Sequence, residues 1–157
     1  MNLEKIVSSS PHSGKYCNRT ILELVRAYET GDLDKMLSLL TDDITIINPF
    51  GTFEGKAEAE RFLSWNLKNV KIEKISEEGI GILVEGDKAF YDHKVVCKID
   101  DTIVEFLVMS SYEFSNGKFR LWRQVYDRLA IAEQTASGFL PQKAVGAIVQ
   151  AARKGLD

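Results

Sequence analysis

The chain has 157 residues, of which 45% are apolar and 27% are charged, as in a globular domain large enough to bury its own core. The net charge of −3 argues against nucleic acid as the main partner, and no apolar run approaches the roughly 20 residues of a membrane helix. Two cysteines, Cys17 and Cys97, favour free thiols in a cytoplasmic protein over a disulfide between them. With only two histidines, we expect no metal site, and we expect no cofactor.

The first half of the chain predicts helices. Residues 8–19 are small, polar and rich in turn formers, so residues 1–19 are predicted to form an arm or linker. A first helix is expected from Thr20 to Gly31, and a second, shorter helix is expected to be capped by Asp32. The short segment "ITIINPFG" is predicted to be a strand, and "GKAEAERFLSWNLKNV" a third helix.

The second half of the chain changes to the period of two that is typical of strands. About four strands are expected, separated by turns at residues 85–87, 100–101 and 115–117. Helices followed by such strands predict an α+β fold, with the helices gathered on one side of a curved antiparallel sheet. Residues 20–134 are assigned to this domain, and residues 135–157 to a C-terminal helical extension.

The strand over residues 88–99 separates two faces clearly. Residues 88, 90, 92, 94, 96 and 98 suit a face in water, whereas the alternate residues from Ala89 to Ile99 suit a buried face. His93 is the one titratable imidazole on the buried face. It is either a core histidine satisfied by a neighbour or a polar group that lines a pocket.

The last hairpin is apolar on both faces. With residues 115–118 as the loop, Phe114 is expected to pair with Phe119, and a regular register then places Leu107 opposite Tyr126 and Met109 opposite Gln124. One wet face would give clean alternation. We therefore expect the helices to cover one face and a second subunit to cover the other.

The order of these motifs resembles a known family. A helix ending in "YETGD", then "LLTDDITIINPFGTFEGKAEAERFL", then strands closing on "GKFRLWRQVYDRL", is similar to the NTF2-like superfamily. The likeness is greatest to its SnoaL-like and limonene-epoxide-hydrolase-like branch and covers about residues 20–134. It implies a cone: a strongly curved sheet wrapped around three N-terminal helices, with a deep apolar pocket at the open end. Many members are homodimers through the convex sheet face.

The epoxide-hydrolase-like members use an Asp–Arg–Asp set on neighbouring strands, with a Tyr and an Asn that hold the water. The resemblance places His93 at the arginine and places Val95 and Gln124 at the two aspartates. Asn48 stands near the water-holding asparagine. Because the carboxylate pair that would exchange protons is missing, epoxide hydrolysis by that mechanism is disfavoured.

SnoaL-like cyclases resemble the chain at "YDRLAI", where their acidic residue serves as acid and base. Strand parity turns Tyr126 inward and Asp127 to the opposite face. Asp127 is therefore expected to be a structural carboxylate bound to Arg123 or to a nearby backbone N–H. It joins the site only if a bulge turns it inward.

The candidate site follows from these faces and from the pocket that the resemblance implies. His93, Gln124 and Tyr126 are the candidate catalytic residues. Each aromatic residue nearby is either ordinary core or part of the pocket wall. The candidate ligand-binding residues are Tyr28, Asn48, Phe50, Phe62, Trp65, Tyr91, Val95, Leu107, Met109 and Trp122.

Three functions fit this sequence, because the fold hosts several. The first is an isomerase, cyclase or hydratase that acts on a small apolar oxygenated molecule through His93. The second is a carrier that binds such a molecule without chemistry. The third is a dimeric protein-interaction module whose cone is filled by its own side chains.

Overall fold

The computed structural model describes residues 11–154. Within that range the chain forms five helices and six strands. In chain order they are α1 Pro11–Thr30, α2 Leu33–Ser38, β1 Leu40–Asn48, β2 Gly51–Glu54, α3 Gly55–Asn69, β3 Val70–Glu85, β4 Lys88–Ile99, β5 Thr102–Ser115, β6 Lys118–Tyr126, α4 Arg128–Thr135 and α5 Phe139–Arg153.

One six-stranded sheet, in the order β2-β1-β6-β5-β4-β3, forms the body of the fold. All neighbouring strands are antiparallel except β1 and β6, which run parallel. The sheet is curved and unclosed, and α1, α2 and α3 pack on its inner face. The predicted α+β cone with three N-terminal helices is confirmed.

Helix α1 begins at Pro11, so the expected start at Thr20 is wrong. Proline suits the first turn of a helix because its missing N–H has no partner there anyway. Cys17, Ile21 and Leu24 are buried on one face of α1. The Thr20 hydroxyl lies 2.9 Å from the carbonyl oxygen of Gly117 in the β5–β6 turn. Tertiary contacts therefore outweigh the loop-like composition of residues 11–19.

Two further elements were not expected. The first is β2, which has only four residues and pairs with β1 across a tight turn at Pro49 and Phe50. The second is α4, which begins directly after β6, where a continuing strand was expected. The cap of α2 is as predicted, because the Asp32 carboxylate accepts the Lys35 N–H at 2.9 Å.

The β5–β6 hairpin has a bulge that shifts its register. Phe114 pairs with Phe119 as expected, but Glu113 then pairs with Leu121, so β6 holds one extra residue at Arg120. Beyond the bulge, Ser110 pairs with Gln124 and Val108 with Tyr126, and the expected pairings there are wrong.

The outer face of the sheet, turned away from the helices, is apolar at its centre. Met109 and Val125 are direct cross-strand partners, and both are more than half exposed. We use the term outer face for the side that presents Ile103, Leu107, Met109 and Val125.

No described helix is both long and apolar enough to cross a lipid bilayer.

Candidate functional site

A cavity of about 140 Å³ lies between the inner face of the sheet and the helices. Helices α1, α3 and α4 and strands β3 to β6 all contribute to its wall, and Phe50 reaches it from the β1–β2 turn. The alternation on β4 is as predicted: Tyr91, His93, Val95 and Cys97 are buried and line the cavity. Both cysteines of the chain are free and buried.

His93 is held in one orientation by its neighbour on the same strand face. Its Nδ1 atom lies 3.1 Å from the carbonyl oxygen of Tyr91, and its ring stacks on the Tyr91 ring at 4.2 Å between centroids. Because a carbonyl oxygen only accepts, the neutral imidazole carries its proton on Nδ1 and leaves the Nε2 lone pair free. Burial lowers the pKa of His93, so the ring is neutral at neutral pH.

Four phenols belong to the same wall and remain protonated: those of Tyr28, Tyr91, Tyr112 and Tyr126. Burial raises the pKa of Tyr126 to about 12, against a smaller lowering by Arg128. Burial also raises the pKa of Tyr28 and of Tyr112, and the nearby Tyr112 and Tyr126 hydroxyls add to the shift at Tyr28. These hydroxyls are therefore neutral hydrogen-bond donors at every working pH.

Gln124 and Trp122 come from β6. Gln124 is half-buried and lines the cavity, and its side chain makes no hydrogen bond to another described residue. Trp122 is almost fully buried, and its ring meets the Tyr28 ring edge-on at 5.9 Å. Its indole N–H has no hydrogen-bond partner among the described residues. The polar side chains of this wall are neutral, and no described residue that lines it is acidic or basic apart from His93.

Two of the candidate residues lie beside the cavity. Asn48 is buried, and its carboxamide oxygen accepts the Phe50 N–H at 2.8 Å, so it shapes the turn that places Phe50, which is 53% exposed, at the edge of the cavity. Trp65 is 46% exposed and packs against Phe50 with 5.3 Å between ring centroids. Phe62, by contrast, is buried and reaches the cavity from α3.

Leu107 and Met109 lie on the outer face, so their expected place inside the pocket is wrong. The bulge at Arg120 moves every later cross-strand partner by one residue, and one residue reverses the face of a strand. Phe106, Val108 and Tyr112 occupy the inner face instead and line the cavity.

Asp127 is a helix cap. Its Oδ1 atom accepts the backbone N–H groups of Leu129 at 2.8 Å and Ala130 at 3.2 Å, and the side chain is exposed. The bulge of β6 lies seven residues earlier and does not turn Asp127 inward. The expectation of a structural carboxylate bound to a backbone N–H is confirmed.

A sequence signal for the correct hairpin face was present. In the regular register, Arg123 and Asp127 of β6 lie on the same face as the apolar residues of β5. A shift of one residue places Arg123 on the opposite face, together with Glu105 and Glu113. The shift also explains which residues of β5 line the cavity. Two further wall residues, Asn66 of α3 and Ile131 of α4, had no such signal.

The fold and the cavity define an NTF2-like protein: a curved sheet around three helices with a hollow between them. The family model described as "SnoaL-like domain" matches residues 21–122, and the chain belongs to that family. A search of curated proteins gives no match to this sequence.

Solved structures share the fold at low sequence identity. An LEH-like epoxide hydrolase from M. tuberculosis is 20% identical with a TM-score of 0.66, covering 88% of this chain and 98% of that chain. A proposed polyketide cyclase from Silicibacter sp. TM1040 is 17% identical with a TM-score of 0.71, covering 78% and 97%. A proposed isomerase from Bacillus subtilis is 14% identical with a TM-score of 0.70, covering 80% and 96%.

Proposed function

We propose that this protein binds a small apolar oxygenated molecule in the cavity and catalyses a proton transfer on it, as in isomerisation, cyclisation or hydration. The carrying observation is His93: a neutral, buried imidazole whose Nδ1 side is anchored and whose Nε2 lone pair is free. In an apolar hollow such a group is a general base, because it needs no desolvation when a substrate arrives. The epoxide hydrolase, cyclase and isomerase among the structural neighbours agree with this class of chemistry.

Tyr126 and Gln124 are assigned the role of hydrogen-bond donors that stabilise the negative charge that develops on the substrate. Removal of a proton next to a carbonyl group places charge on the carbonyl oxygen, and neutral donors in a dry site stabilise that charge. Tyr126 supplies a phenol that stays protonated, and Gln124 supplies an amide with no other described partner. Epoxide hydrolysis by a carboxylate pair remains disfavoured, because no Asp or Glu lines the cavity among the described residues.

The test is the exchange of the α-protons of cyclohexanone for deuterium, followed by NMR in D₂O, which needs no knowledge of the natural substrate. The His93→Gln variant should lose the exchange above background. Tyr126→Phe should slow it by about 10²-fold, the typical loss for one such donor. The matched control is Tyr16→Phe, which removes an exposed phenol outside the cavity. Unchanged exchange in His93→Gln would remove the proposed base.

A non-catalytic carrier is the second candidate, favoured by the absence of a carboxylate from the described cavity wall. Saturable binding of a ketone without exchange would establish the carrier in place of the enzyme. The interaction module finds less support, since its cone would be filled by side chains and a cavity of about 140 Å³ is present.

We also propose that two copies associate through the outer face. Ile103, Leu107, Met109 and Val125 are each between 52% and 61% exposed. Met109 pairs with Val125 and lies two residues from Leu107, whereas Ile103 lies beyond Glu105 on the same face. Apolar patches of this kind on a sheet are typical of subunit interfaces.

A cytoplasmic location is consistent with the two free thiols.

A further inference from the structure

The wall of the cavity has a chemical bias that goes beyond its being apolar. Its polar groups are four phenols, two carboxamides, one imidazole, one indole N–H and one thiol, all of them neutral at neutral pH. None of the described wall residues offers a fixed charge. The polar members of the wall are Tyr28, Asn66, Tyr91, His93, Cys97, Tyr112, Trp122, Gln124 and Tyr126.

A charged ligand has no counter-ion in this wall. Moving an ionised carboxylate or ammonium group from water into such a site costs several kcal/mol unless an opposite charge compensates it. Arg128 influences Tyr126, and Glu77 and Glu29 influence Tyr91, but none of these three charged residues lines the cavity. The site therefore discriminates against acids, phosphates and amines by leaving them unpaired.

One polar group of the wall can only donate. The phenols and carboxamides both donate and accept, whereas the Trp122 indole N–H only donates and has no hydrogen-bond partner among the described residues. A ligand oxygen that only accepts hydrogen bonds, as in a ketone, satisfies such a wall better than a second donor would. The arrangement leaves Nε2 to face an acidic C–H of the same ligand.

The volume of the cavity limits the size of the ligand. A cavity of about 140 Å³ is close to the roughly 150 Å³ engineered cavity that holds one benzene molecule. Phe62, Phe106 and Trp122 line the hollow as bulky aromatic side chains that cannot be compressed. Two or more fused rings do not fit wholly inside this space.

We propose that the ligand is an uncharged ketone about the size of a single six-membered ring, and that the cavity rejects both ionised and polycyclic molecules. This inference rests on the proposed function only in that it concerns the same cavity. It concerns binding, whereas the proposed function concerns proton transfer, so the two fail in different experiments.

The test is the affinity of the wild-type protein for four probes, measured by calorimetry and by ¹⁵N NMR of the two tryptophan indoles. The probes are cyclohexanone, methylenecyclohexane, cyclohexanecarboxylate and progesterone, which vary the oxygen, the charge and the ring number. Cyclohexanone should bind at least tenfold more tightly than the hydrocarbon of the same shape. The carboxylate and the four-ring ketone should show no saturable binding. The Trp122 indole signal should move with cyclohexanone.

Two adjacent valines provide matched variants. Val95 lines the cavity, and Val96 is its neighbour on the other face of β4. Val95→Ala enlarges the hollow and should admit the two-ring ketone 2-decalone with at least a tenfold gain in affinity. Val96→Ala should leave every affinity unchanged. Because valine to alanine is a small change on a long central strand, both variants are expected to fold.

Three results would overturn the inference: carboxylate binding as tight as that of the ketone, saturable progesterone binding to the wild type, or equal effects of Val95→Ala and Val96→Ala. Ketone binding without deuterium exchange would leave the ligand class intact and refute the proposed chemistry. Proton exchange on a ligand of another class would support the proposed chemistry and refute the proposed ligand class.

Discussion

The replacement of Asp127 separates a structural carboxylate from a catalytic one. Its Oδ1 atom accepts two backbone N–H groups at the start of α4, at 2.8 and 3.2 Å. Asparagine caps a helix about as well as aspartate but cannot act as an acid or a base, whereas an alanine side chain cannot cap the helix. Asp127→Ala should therefore lower the free energy of unfolding by about 1 kcal/mol, and Asp127→Asn by close to zero.

The assay is urea unfolding followed by circular dichroism. With an m-value of about 2 kcal/mol/M, a loss of about 1 kcal/mol moves the midpoint by about 0.5 M. Helix α4 should stay docked in the alanine variant, because Gln134 exchanges two hydrogen bonds with the backbone of Glu105, at 2.9 and 2.8 Å. Deuterium exchange should continue in both variants. An asparagine variant that folds normally but loses exchange would show that Asp127 is an acid–base group, and would refute this reasoning.

Three further outcomes follow from the structure. Leu107→Glu should convert the proposed dimer to monomer in sedimentation velocity, while Leu22→Glu on α1 should not; a dimer in both variants would place the interface elsewhere, and a monomeric wild type would refute the proposed dimer. Because burial lowers the folded-state pKa of His93 below the unfolded value, the free energy of unfolding should fall as pH drops below about 6.5 towards the folded-state pKa. Urea titrations at several pH values should show this loss in the wild type and not in His93→Gln, and identical pH dependence would contradict it. Thr20→Val removes the hydroxyl that bonds Gly117 and should cost about 1 kcal/mol by the same titration, whereas no loss would mean that this contact contributes nothing.

The sequence predicts the fold best where one period dominates a long segment. On β4 the alternation between Lys88 and Ile99 assigns each side chain to the correct face, including His93. The helices from Leu33 and from Gly55 are equally clear, since a cap or an apolar stripe marks each of them. These signals are local, so they survive without any knowledge of tertiary contacts.

The errors arise where a non-local contact decides. A single extra residue at Arg120 reverses the faces of the last hairpin, and nothing in residues 115–118 marks it. The early start of α1 depends on Cys17 and Thr20 finding partners about 70 to 97 positions away. The residues of β4 and β6 that line the cavity are predicted correctly. Those of β5 are predicted wrongly, because the bulge at Arg120 changes which face of β5 points inward.

The parallel pairing of β1 with β6 has a consequence for synthesis on the ribosome. The Thr41 hydroxyl donates to the Phe119 carbonyl oxygen across 78 positions, and β6 fills the gap between β1 and β5. A nascent chain that has not yet released residues 118–126 therefore holds two sheet fragments with bare edges and an uncovered apolar surface. Closure of so long a loop delays folding until translation is nearly finished, and a stalled or shortened chain that ends before Tyr126 should be a client for chaperones or proteases.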